Sequence, residues 1–192
     1  MASASTTTQT KTGQPDLNPL VGAVTIMRPV AAHDLPVLEA WDEDPEIIAL
    51  MGRKYADRST TDWFRSLQGR RTCRAWVIMT HDQRLIGELE LAEINWRAGT
   101  AELRICIGEK DCWSHGFGTD AIQSALRMAF GHYELRSIYL RVFATNERAV
   151  RVYQRLGFRK EAILTPSSRR EDPAPVLLMS LTRQRWQVRT AG

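Results

Sequence analysis

Between Trp113 and Ala121 two glycines, Gly116 and Gly118, sit in a turn that joins a strand-like run to a helix-like run. A turn of that kind can hold phosphate. A helix starting near Gly116 leaves its first backbone N–H groups unpaired at the positive end of its dipole, and glycines let a diphosphate approach them closely. Ser114, His115 and Thr119 can add side-chain donors, although an exposed loop histidine such as His115 is common. A second group able to do chemistry is the set Glu88, Glu90 and Glu102, carried on runs that read as adjacent strands. Each could be a general base or an ordinary surface carboxylate of an antiparallel pair.

The elements that must position these residues are legible in the pattern. Ala101 to Ile107 alternates with the period of a half-buried strand. Ala121, Ile122, Ala125, Leu126, Ala129 and Phe130 form one apolar stripe at helical spacing, which Gly131 would close as a C-terminal glycine. About thirty residues beyond the turn, Asn146 to Phe158 reads as a short helix capped by Asn146, with Glu147 favoured by the dipole and Gly157 as its stop. Val24–Arg28, Arg74–His81, Leu85–Ile94, Gly99–Ile107, Ser137–Phe143, Phe158–Leu164 and Val176–Thr182 are the expected strands, and Ala31–Trp41 and Thr60–Leu67 two further helices. Thr165 to Pro175 is expected to be a loop.

The glycine turn and the Asn-to-Gly-Phe helix, in this order and spacing, resemble the acetyl-CoA site of the GCN5-related N-acetyltransferases. The resemblance runs from about Val24 to about Trp186 and is nearest to the branch of ribosomal-protein N-terminal and polyamine acetyltransferases. It implies a mixed α/β fold with a central, mostly antiparallel twisted sheet, two splayed parallel strands and about four helices. It also implies that backbone groups of Ile105, Cys106 and Ile107, and of Trp113, Ser114, His115, Gly116, Phe117, Gly118 and Thr119, contact acetyl-CoA. Asn146 would hold the pantetheine amides, and Arg151 would lie on the same cofactor. The first turn position, often Gln or Arg in the family, is Trp113 here, which removes one phosphate-binding side chain.

Such a site acylates an amine whose pKa of about 10 keeps it mostly protonated, so a base is required before it attacks a thioester. Glu102 matches a strand Glu often found beside the acceptor in this branch and is the first choice as catalytic base, with Glu90 second. Tyr153 stands where the family usually carries the acid that protonates the departing thiolate. It also shares a face with Ala149, Val152 and Leu156, so plain core packing competes with that role. Three acceptor classes stay open: a protein N-terminus, a polyamine, and an aminoglycoside or other antibiotic amine. A coenzyme-binding regulatory domain without turnover is the reading from another class.

Composition bounds the rest. The 192 residues, 43% hydrophobic and 25% charged, suit one domain over residues 23–187, with a disordered tail at 1–22 and a short one at 188–192. Cys73, Cys106 and Cys112 lack metal-ligand spacing, so reduced thiols, no metal and a cytoplasmic setting are expected. No run has the length or apolarity of a membrane span or signal peptide. Charge is uneven: Asp34 to Asp62 carries eight acidic and three basic residues, including Asp42-Glu43-Asp44-Pro45-Glu46, which could draw in a cationic acceptor. Trp41 beside that run could contact a cation. Trp63, Trp76, Trp96 and Trp186 read as separate packing anchors rather than one acceptor pocket. The arginines of the basic final third lack aromatic interleaving, so no nucleic-acid partner is expected, and a homodimer is left open.

Overall fold

The computed structural model describes residues 19–51, 59–67, 71–164 and 174–190. Most of the expected N-terminal tail and residues 165–173 of the expected loop lie outside these. The chain forms one eight-stranded sheet in the order β1-β2-β3-β4-β5-β6-β8-β7. Its strands are β1 (Leu20–Val21), β2 (Thr25–Pro29), β3 (Arg74–Thr80), β4 (Leu85–Asn95), β5 (Thr100–Ile107), β6 (Ser137–Phe143), β7 (Arg159–Leu164) and β8 (Val176–Thr182). Six α-helices are described: α1 (Leu35–Asp42), α2 (Pro45–Met51), α3 (Thr60–Leu67), α4 (Phe117–Arg127), α5 (Glu147–Leu156) and α6 (Arg183–Thr190). Among the described strands only β5 and β6 run parallel; every other pairing is antiparallel.

The alternation of β5 sends its side chains to two cores. Leu103 joins the larger core beneath α4, where the stripe Ala121, Ile122, Ala125, Leu126, Ala129 and Phe130 is buried as its spacing required. Cys106, on the opposite parity, joins Leu38, Trp41, Ile47 and Trp63 of the first three helices. The sheet is therefore covered on both faces, and β5, like β3 through Ala75 and β4 through Leu85, contributes to both cores.

Several elements differ from the sequence reading. Six α-helices replace the expected four or so, because Pro45–Met51 and Arg183–Thr190 are also helical. The first lay hidden in the acidic run: Asp44 caps it by accepting from the amides of Glu46 (2.9 Å) and Ile47 (3.2 Å). Strand β1 falls inside the segment assigned to a tail, and α6 continues through residues 188–190. Gly131 does not end its helix in a left-handed turn. The chain widens into a π-helical turn, Met128–His132, closed by Tyr133 N–H to the Met128 carbonyl at 2.9 Å. Gly157, by contrast, does stop α5 at φ 98°.

One buried carboxylate fixes α4 against the start of the sheet. Asp120 accepts from the amides of Ala23 (2.9 Å), Val24 (3.0 Å) and Thr25 (2.9 Å) and from the Thr25 hydroxyl (2.7 Å). The approach is so close that a Cβ on Gly22 would stand 2.2 Å from an Asp120 oxygen. Burial alone would raise this carboxyl, but the bonds from Thr25, Val24 and Ala23 outweigh it and hold it below the ordinary carboxylate range. Its stabilisation is thus present above the unfolded carboxylate value, about 4, and is lost as pH falls through the lower folded value. Asp120→Ala should cost roughly 2–4 kcal/mol in denaturant unfolding at pH 7, the penalty of orphaning buried donors. The cost should shrink toward the acid limit; a pH-independent difference would mean that the charge is not the anchor.

Candidate active site

Strands β5 and β6 pair over three positions only, Thr100 with Ser137, Ala101 with Ile138 and Glu102 with Tyr139. Beyond Glu102 they part. β6 stays paired with β8 along its whole length while β5 stays with β4, so each follows a different neighbour. Gly108 N–H bonds the Ile86 carbonyl at 2.9 Å, which sets the ladder phase: Cys106 and Arg104 turn their backbone groups to β4, and Leu103, Ile105 and Ile107 turn theirs toward β6, where the Glu102–Tyr139 pairing takes the Leu103 N–H and leaves Ile105 and the Ile107 N–H at the open edge. Those edge groups want partners, and a ligand with amides can supply them.

The gap opens into a cleft of about 1630 Å³. A drug-sized ligand needs roughly 300–1,000 Å³, so there is room for a long ligand and a second molecule. At one end lies the start of α4. Gly116 caps it at φ 88°, and the first helical bond runs from Asp120 N–H to the Gly116 carbonyl (3.0 Å), leaving the amides of Phe117, Gly118 and Thr119 unpaired within the helix. A Cβ on Gly118 would meet only an ordinary contact, Ile107 at 3.6 Å. Protein packing does not demand glycine there, whereas a phosphate seated on the amides would. These features fit the diphosphate end of a coenzyme A thioester.

Trp113 ties the cleft's sides together. Its indole N–H donates to the Ile107 carbonyl at 2.7 Å, and the Arg148 guanidinium of α5 stacks 4.2 Å from the ring centroid. The position that lost a phosphate-binding side chain thus presents an arginine from another helix. Arg151 lines the cleft beside it, ion-paired with Glu147 at 3.0 Å. Asn146 also lines it, its side chain accepting from Ala149 N–H at 3.2 Å as the α5 cap.

At the apex, where the strands part, Glu102 is 3% exposed and held by two arginines. One oxygen accepts from Arg104 Nε (3.0 Å) and Nη2; the other accepts from Arg141 Nη1 (3.0 Å). Arg104 also reaches Glu90 and Glu93, both at 3.4 Å. Glu93 sits in a β4 bulge at φ 50°, which turns its carboxylate to the Tyr139 hydroxyl, 2.9 Å away. Tyr153 lines the cleft from α5, and its hydroxyl has no hydrogen-bond partner among the described residues. Burial, aided by Cys106, holds this phenol well above its ordinary value, so it stays protonated.

Not every candidate reaches the cleft. Glu90 is buried among Trp63 Nε1 (3.2 Å), Cys73 Sγ (2.9 Å) and Arg104, away from the lining. His115 is exposed and outside it, while Trp113, Ser114, Gly116, Phe117, Gly118 and Thr119 are in it. Cys106 touches the cleft but its backbone is paired with Glu88. Trp41 is buried, its ring against Gly108 and its N–H on Glu109 at 3.2 Å, so it is a core residue and not a cation contact. In the acidic run, Lys110 binds Asp44 (2.8 Å) and Glu46 (2.9 Å), and Asp42 accepts from Thr60 (2.6 Å). Arg104, Arg141 and Arg148 were missed. The first two had a signal, being two residues along their strands from Glu102 and Tyr139 and so on the same face.

The sequence profile of the acetyltransferase (GNAT) domain family matches residues 25–159. The chain belongs to that family. It is 36% identical over 91 residues to spermidine N(1)-acetyltransferase of Vibrio cholerae serotype O1, a match covering 47% of this chain and 52%, about half, of that protein. It is 26% identical over 145 residues to the uncharacterised N-acetyltransferase p20 of Bacillus licheniformis, covering 72% and 80% of the two chains. In fold it is similar to the crystal structure of the Vibrio cholerae spermidine N-acetyltransferase in complex with CoA and spermine, with a TM-score of 0.76, 23% identity and coverage of 86% and 99%. The GNAT fold expected from the paired motifs is thereby established. Among the described residues no helix is long and apolar enough to cross a membrane.

If the GNAT glycine turn seats a diphosphate, Gly118→Val should abolish the thermal shift that acetyl-CoA gives the parent, because the added methyls occupy the phosphate's path. The ligand-free melting temperature should stay within a few degrees. An undiminished shift in the variant would make the turn merely a turn.

Proposed function

We propose that this chain moves the acetyl group of acetyl-CoA onto a primary amine by direct attack in a ternary complex. The observation that carries the reading is the convergence, on one cleft, of the unpaired α4 amides, the open β5 edge, Glu102 and Tyr153. Bound acetyl-CoA supplies an acyl thioester. The chain does the rest: the amides of Phe117, Gly118 and Thr119 receive the diphosphate, with Arg148 and Arg151 alongside. The N–H groups of the β5 edge face the thioester carbonyl, where negative charge grows as nitrogen attacks.

Of the three strand carboxylates, Glu102 alone lines the cleft. Its Arg141-bound oxygen carries one of the two bonds it can accept, so it can still take the amine's proton, directly or through water. As the carbon–nitrogen bond forms and the carbon–sulfur bond breaks, Tyr153 gives its proton to sulfur. A regulatory binder would need neither group, and both line the cleft. Among acceptors, the spermidine acetyltransferases to which the chain is similar support a small amine; a protein N-terminus remains the second reading on the family branch.

Tyr153→Phe should lower kcat by about 10²-fold, with acetyl-CoA affinity changed less than threefold, since only the delivered proton is lost. With its phenol held far above the ordinary tyrosine value, the parent's kcat should show no alkaline fall from this group through pH 10. Turnover of the variant within a few-fold of the parent would return Tyr153 to packing.

A further inference from the structure

Resting on the acetyl-transfer reading, we propose that Arg141 is a specificity-determining residue which, with Glu102, selects an acceptor bearing a carboxylate a few bonds from its reactive amine. Arg141 lies two residues beyond Tyr139, the last β6 residue paired with β5, so its side chain stands where the cleft begins. Its Nη1 is spent on Glu102, but Nε and Nη2 have no partner among the described residues, and about a third of the side chain is exposed. Beside it, 3.0 Å away, the Glu102 oxygen has an acceptor position left. A spare donor pair and a spare acceptor, side by side at the acyl-transfer point, match a carboxylate and an amine on one small molecule. The fork of a guanidinium suits that carboxylate.

The charge around the cleft points the same way. Arg148, Arg151 and Arg155 of α5 line the phosphate side, and Arg104 and Arg141 the apex. Against them the described lining sets two carboxylates, both engaged: Asp120 by four donors from Ala23 to Thr25, and Glu102 by Arg104 and Arg141. The acidic run is held in part by Lys110. A second ammonium on the acceptor would therefore meet guanidinium among the described lining residues, and a carboxylate would meet an unfilled donor pair. Rejection of the first and capture of the second both contribute to the selection.

The test measures coenzyme A thiol release with matched acceptors. One arm compares free amino acids with their carboxamides, a second compares short peptides with Glu or Gln at the second position, and spermidine is the cationic reference. The parent should prefer the carboxylate member in at least one arm by on the order of 10- to 100-fold in kcat/KM, the range of a charged hydrogen-bond pair. The arm that responds identifies a free amino acid or an acidic peptide as the source. Arg141→Gln should bring that ratio to about one through KM, and Arg141→Lys should restore part of it. A parent ratio near one, a preference for spermidine, transfer to no carboxylate-bearing acceptor, or a ratio that survives Arg141→Gln would each overturn the inference. Thiol release separates the two levels: release with spermidine or another amine in those cases leaves the transferase reading standing, and no release with any acceptor overturns both.

Discussion

The structure turns on Glu102, where two guanidiniums from different strands meet one buried carboxylate. Arg104 belongs to β5 and Arg141 to β6, so the cluster clips the strands together at the last residue they share and marks where they part. A buried ion cluster is poor evidence for net stability, but removing one member leaves the others uncompensated, which makes such a cluster a strong determinant of geometry. Here the geometry is a sheet that is continuous below the cluster and open above it. Everything assigned to the site depends on that opening.

Charge divides the cleft into two working ends. Toward α4 the partial positive charge of a helix start adds to α5 arginines, one of them held over the cleft by stacking on Trp113. Toward the apex the carboxylates Glu90, Glu93 and Glu102 are bound into the sheet through Arg104, and Arg141 retains donors that face the cleft. Tyr153 lines the same cleft in a buried setting that keeps its proton on. A seat for an anion, a proton donor and a place for an amine on one cleft are what the proposed transfer requires.

Local chemistry was legible where a single turn or cap decides it. Gly116, Gly157 and Asn146 do what their residue types demand, and the α4 stripe is buried residue for residue. What stayed hidden depends on neighbours distant in sequence. Nothing local marks Asp120 as an anchor, because its partners are nearly a hundred positions earlier. The run Asp42 to Glu46 read as free charge because nothing local announces Lys110, and Glu90 read as a candidate base because Trp63 and Cys73 reach it only through the fold. The π-helical turn after α4 replaced the expected glycine stop because the tertiary seats of Phe130 and Leu135 govern that end.

The central claim is that the opening between β5 and β6 receives acetyl-CoA through backbone groups. Hydrogen–deuterium exchange, read at individual amides with and without saturating acetyl-CoA, tests it most directly. The account predicts slowed exchange at Ile105 and Ile107 on the open edge and at Phe117, Gly118 and Thr119 on α4, with Leu103, paired to β6, and Cys106, paired to β4, little changed. Saturable binding that leaves those five amides exchanging as before would contradict it.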